Sequence, residues 1–106
     1  MILDTNAVSA LADGNPGFQS ATHSVRRFLL PVIVLGEYRF GLAQSRHASR
    51  YESWLNRLVQ VSGVLVVDEE TARHYASIRQ ELKQKGRPIP SNDTWIAALE
   101  PQAALP

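Results

Sequence analysis

Apolar and polar positions fall along this chain into short continuous runs and helical repeats. Ile2-Leu3 is an apolar run opening directly onto Asp4-Thr5-Asn6. It predicts a strand cut off by helix-capping residues, then a short helix through Ala7 to Ala12. Asp13 to Gly17 is turn chemistry, and residues 18–25 are at best weakly helical. Phe28-Leu29-Leu30-Pro31-Val32-Ile33-Val34 is continuous and rich in β-branched residues. It predicts a strand buried on both faces and limited by Pro31, which cannot donate to a ladder. A helix is expected from about Leu35 to Gln44.

The clearest helix follows. Tyr51, Trp54, Leu55, Leu58 and Val59 repeat at i, i+3, i+4, i+7 and i+8, with Glu52, Asn56, Arg57 and Gln60 between them. Val64 to Val67 is a second fully apolar strand, ended by Asp68. Glu69 and Glu70 place acids at the positive end of another helix. That helix carries Ala72, Tyr75, Ala76 and Leu82 on one side and stops at Lys83, Lys85 and Gly86. Arg87 to Pro90 reads as an extended loop, and Ser91-Asn92-Asp93 as the cap of a last helix through Trp95, Ile96 and Leu99. Apolar strands alternating with helices define an α/β domain on a small parallel sheet, with helices covering both faces.

Composition narrows the function classes. The 106 residues suit one domain, and a net charge of +1 says little about partners. Nine of the 11 cations are arginine, which suits phosphate contacts and ordinary surface ion pairs alike. The absence of cysteine excludes disulfides, thiolate metal sites and a cysteine nucleophile. The start is not a signal peptide, and the apolar run at Phe28 is too short to span a bilayer. A cytoplasmic location without membrane contact is the expectation. His23, His47 and His74 lack ligand spacing, and neither a serine elbow nor a glycine-rich phosphate loop is present.

The candidate chemistry is acidic. Asp4 follows the first strand, Glu37 lies in the first turn of the helix after the second, and Asp93 opens the last helix. Functional groups in open parallel sheets gather at the carboxyl ends of the strands. Three acids from separate segments can therefore converge. Clustered carboxylates repel unless a cation intervenes. Mg²⁺ or Mn²⁺ prefers oxygen ligands, keeps several waters, and suits phosphodiester hydrolysis by an activated water. Each acid also has a plain structural role open to it, as a helix cap or a dipole complement.

Three blocks carry a resemblance. Met1-Ile-Leu-Asp-Thr-Asn6, Pro31-Val-Ile-Val-Leu-Gly-Glu37-Tyr-Arg-Phe-Gly-Leu42 and Ile89-Pro-Ser-Asn-Asp93-Thr-Trp-Ile-Ala-Ala98 resemble the signature blocks of VapC-type PIN-domain toxins. Asp68 to Tyr75 is similar to the same family. The resemblance implies an α/β/α sandwich and a Mg²⁺- or Mn²⁺-dependent endoribonuclease. It also implies the toxin half of a type II toxin–antitoxin pair, homodimeric and inhibited by a cognate VapB-type antitoxin. By motif position, Asp4, Glu37 and Asp93 correspond to three family acids. Asn6 corresponds to the polar residue that supports the first, and Thr5 and Asn92 are further candidates to hydrogen-bond the acids. Arg39 and Arg87 are the candidates for RNA phosphate contacts.

One departure bears on activity. The family continues past its last helix into a further strand that supplies another acid. Gln102 to Pro106 resembles the approach to that strand, and Glu100, seven residues after Asp93, is a poor substitute for the acid. Pro101 disfavours continuing the helix. The expectation is a single domain over 1–106, incomplete at the C-terminus, whose Asp4-bearing edge is unpaired and favours self-association. The alternative function is an inactive PIN domain that only binds an antitoxin or a second copy of itself.

Overall fold

The structure, a computed structural model, describes residues 1–103. The chain forms two units, Met1–Val64 and a second beginning at Leu65.

In the first unit, the Leu3 N–H donates to the Leu29 carbonyl at 2.9 Å and the Leu29 N–H to the Met1 carbonyl at 2.7 Å. This makes a parallel bridge between Ile2 and Leu29. Parallel neighbours need a crossover. It is made by α1 (Thr5–Ala12) and α2 (Pro16–Thr22). The second of these corrects the expectation of weak helicity. Asn15 caps it by accepting from the Phe18 N–H at 2.9 Å, and Pro16 stands at its first position. Asn-Pro-Gly reads as a turn, but proline at the first helical position gives up an N–H that no carbonyl needed.

The apolar run divides differently from expectation. Only Leu29–Pro31 is strand (β1), and α3 already begins at Val32 and runs to Ala43. Pro31 takes the extended cap position, φ −62° and ψ 137°, and the helix starts at the next residue. A short β-branched run cannot be told from buried helix by periodicity alone. Glu37 is therefore the sixth residue of α3, in its second turn rather than its first.

The amphipathic repeat is α4 (Ala48–Val61), which buries Leu55 and Leu58. Trp54 packs tilted against Tyr38 of α3, with ring centroids 6.2 Å apart. Leu3, Val8, Leu30, Val34 and Leu55, each 0% exposed, make the core of this unit. Strand β2 (Gly63–Leu65) joins β1 through the Gly63 N–H, which donates to the Phe28 carbonyl at 3.0 Å. A Cβ at Gly63 would stand 2.8 Å from Leu29 Cδ2, so a larger residue here would require the Leu29 and Arg27 side chains to move.

The expected strand through Val67 also stops early. Val66 is 52% exposed and lies outside β2. The side-chain amide of Gln102 takes both main-chain groups of Val66, accepting at 3.3 Å and donating at 3.2 Å. An amide side chain thus occupies the position of a strand neighbour. Gln102 itself belongs to α7 (Glu100–Ala103), not to the approach to a strand; residues 104–106 lie outside the described residues.

Asp68 and Thr71 form a reciprocal capping box on α5 (Glu69–Gln84), and Gly86, at φ 66°, lets the chain turn away after it. The last long helix, α6, spans Ser91–Ala98 with Pro90 at its cap position. Ser91, Asn92 and Asp93 are thus its first three residues rather than its cap, because the proline before them already sets the extended entry. Helix α6 ends before Pro101, which sits in the first turn of α7, where proline is tolerated. Tyr75 and Trp95 stack at 3.9 Å and 18° between α5 and α6. Among the described residues no helix is long and apolar enough to cross a membrane.

Candidate active site

Two of the predicted acids lie in the first unit. Asp4 is the N-cap of α1, and its Oδ1 accepts the Ala7 N–H at 2.7 Å. The cap fixes the carboxylate at the point where the first strand segment ends. Thr5, the next residue, donates its hydroxyl to Glu37 Oε2 at 3.1 Å. That bond joins the start of α1 to the second turn of α3 and ties Glu37 to the residue that follows Asp4. Both carboxylates are solvent-exposed, while Leu3 and Val34 near them in sequence are fully buried. The acids therefore stand on a rigid apolar base without being desolvated themselves.

Asn6 is exposed and shares with Asp4 a shallow cavity of about 340 Å³, also lined by Met1, Ile2, Ala7 and Phe18. Arg39, two residues after Glu37, is committed to α4: it reaches Asn56 Oδ1 at 3.2 Å and Glu52 Oε1 at 3.7 Å.

Asp93 and Asn92 lie in the second unit, in the first turn of α6, and both are exposed. The neighbouring Thr94 is 2% exposed and donates to the Pro90 carbonyl at 3.2 Å, which pins that turn. A carboxylate there faces the positive end of the helix dipole. Arg87 is exposed in the loop before α6, its main-chain N–H donating to the Leu82 carbonyl at 2.9 Å.

The donor chemistry is consistent with a hard divalent cation. Asp4 and Glu37 offer only carboxylate oxygens, and a cation that retains water needs few protein ligands. Within either unit, the described residues gather no group of three or more His, Asp or Glu side chains able to hold a metal alone.

The second unit also holds a cleft that periodicity did not reveal. Tyr75, Arg79 and Lys83 line it from α5, opposite Pro88, Ile89 and Ser91. These three α5 residues recur at i, i+4 and i+8, a signal visible in the sequence but hidden by reading Tyr75 as core.

The first 100 residues match the PIN domain family. The chain is 31% identical over 107 residues to ribonuclease VapC5 of Mycobacterium tuberculosis, covering 99% of this chain and 78% of that protein. Ribonuclease VapC1 of Haemophilus influenzae is 30% identical over 110 residues, covering 98% and 82%. Among solved structures, FitAcB from Neisseria gonorrhoeae superposes with a TM-score of 0.82 at 27% identity, over 98% of this chain and 82% of that one. VapBC-1 from nontypeable Haemophilus influenzae gives 0.78 at 28% identity, over 92% and 76%. The chain belongs to the PIN domain family, as a VapC-type member with the α/β fold of that family.

Proposed function

We propose that this protein is a Mg²⁺- or Mn²⁺-dependent endoribonuclease toxin of a type II toxin–antitoxin pair. The observation that carries the reading is the Thr5–Glu37 hydrogen bond, which ties a second carboxylate to the residue after Asp4 in a chain of the PIN family. The likeness to proteins named VapC ribonucleases supports RNA as the substrate.

In this reading Asp4, Glu37 and Asp93 hold the cation, and Thr5, Asn6 and Asn92 orient them. The cation, when bound, supplies an activated water and charge stabilisation at phosphorus. The chain's own part is positional. The α1 cap holds Asp4 by Oδ1 and leaves Oδ2 as its ligand atom; Thr5 holds Glu37 by Oε2. Arg87 is the loop cation nearest Asp93 in sequence and is the phosphate contact to test first; Arg39 is the second.

Partner binding belongs to the same reading. Helix α3 is apolar around much of its circumference, yet Val32 is 42% and Phe40 65% exposed. A Cβ at Gly36 or Gly41 would meet nothing within 4 Å. An exposed apolar helix face marks an interaction surface. Its similarity to VapBC assemblies supports a VapB-type antitoxin as occupant, with self-association of the chain as a second contact.

The deciding experiment is cleavage of RNA in Mn²⁺ by the parent chain, Asp4→Asn and Asp93→Asn. Cleavage by the parent and loss in both variants is expected; equal activity in all three would sink the assignment. No cleavage by a parent that still captures its antitoxin would favour the binding-only alternative.

A further inference from the structure

We infer that the cleft between α5 and the start of α6 binds one nucleotide of a single-stranded RNA, its phosphate on Arg79 and Lys83 and its base against Leu82, Pro88 and Ile89. This rests on the ribonuclease reading and assigns a substrate subsite to residues outside the acidic blocks.

The cleft has a volume of about 430 Å³, within the range of sites that enclose small ligands. Its lining divides by chemistry. Leu82, Pro88 and Ile89 form an apolar wall, and Ile89 remains 42% exposed although it is a large aliphatic residue. Arg79 and Lys83 supply its cations, and no acid lines the cleft. Among the described residues neither cation stands in an ion pair, whereas the next lysine, Lys85, is paired to Glu81 at 2.8 Å. Two unneutralised cations beside an apolar wall, in a chain of net charge +1, are a local anion site with an apolar platform.

Arg79 is also held in place. Arg79 donates to the Tyr75 hydroxyl at 2.8 Å, and its guanidinium lies 5.8 Å from the Tyr75 ring centre. The Tyr75 hydroxyl in turn stands 3.2 Å from Ser91 Oγ, and the Tyr75 ring is stacked on Trp95. Arg79 is thus fixed through an aromatic pair to the first turn of α6. That turn carries Asp93, with Ser91 and Thr94 both lining the cleft on either side of it in sequence. An acidic peptide could satisfy the cations; the ribonuclease reading on which the inference rests favours RNA.

The test is fluorescence anisotropy of a short labelled single-stranded RNA with the full chain across a salt series. The parent, Arg79→Ala/Lys83→Ala, Ile89→Ala and the charge-conserving Arg79→Lys/Lys83→Arg are compared, with circular dichroism confirming each fold. The double alanine variant is expected to lose about tenfold in affinity and to lower the slope of log K against log salt by about 0.7, the loss of one neutralised phosphate on a single strand. The charge-conserving pair should keep the slope, and Ile89→Ala should weaken binding without changing it. A parent that binds RNA with a double alanine variant of equal affinity and slope overturns the cleft and leaves the ribonuclease reading standing. So does an acidic peptide that binds the cleft without competing with RNA. A parent that binds no RNA at all overturns both.

Discussion

The Thr5 hydroxyl donates to Glu37 Oε2 at 3.1 Å across 32 positions of sequence. It is the hydrogen bond that joins α1 to α3 at the acids. A side-chain bond to a charged acceptor orients that acceptor more than it stabilises the fold. Thr5→Val, nearly isosteric, should leave the melting temperature close to the parent's while RNA cleavage falls about tenfold, the usual size of an orienting effect. Thr5→Ser should restore it. Full activity in the valine variant would show that Glu37 needs no positioning.

Asp4 has two roles that substitution can separate. Asparagine caps a helix as well as aspartate does, but it lacks the charge. Asp4→Asn should therefore keep stability within about 0.5 kcal/mol and abolish cleavage, whereas Asp4→Ala should also cost about 1 kcal/mol through loss of the cap to Ala7. Urea unfolding and an RNA cleavage assay on the two variants check this together.

Metal affinity gives a ranking. Manganese titration by calorimetry should show Asp4→Asn and Glu37→Gln weakening binding more than Thr5→Val does, since ligand loss exceeds loss of an orienting partner. The reverse order would remove Glu37 from the ligand set.

Acid stability should track the α5 cap. The Thr71 main-chain N–H, then its hydroxyl, hold the Asp68 carboxyl below the usual carboxylate range. A group whose folded pKa is lowered contributes stability above its unfolded pKa and loses it as pH falls through the folded one. The parent should therefore lose this contribution below about pH 4, and Asp68→Ala should flatten that part of the pH–melting curve. An unchanged acid limb would show the box to be energetically idle.

Core and surface apolar residues should respond oppositely. Leu55 is 0% exposed, and Leu55→Ala is expected to cost about 2–5 kcal/mol. Phe40 is 65% exposed, and Phe40→Ser should change stability by less than about 0.5 kcal/mol while weakening antitoxin binding or self-association. Thermal unfolding and light scattering distinguish the two; loss of fold in Phe40→Ser would place that residue in a core instead.

Local signals in the sequence were sufficient for some elements. The 3.6-residue period of Tyr51 to Val59 determined α4, and Asp68 with Thr71 and Gly86 determined both ends of α5, because caps and stripes act over a few residues. The three acidic blocks determined the family, since each is a contiguous motif. Other features depended on partners distant in sequence. Whether Val32 to Val34 was strand or helix depended on where Pro31 ended the ladder. Glu37 is tied to the start of α1 by Thr5, and the main-chain groups of Val66 pair with Gln102 instead of a strand. The sequence by itself determined which acids this protein carries and that Asp4 stands where a helix cap is due. Only the tertiary structure decided that Glu37 is held by a threonine, because hydrogen-bond geometry between separated segments is set by packing and leaves no periodic trace.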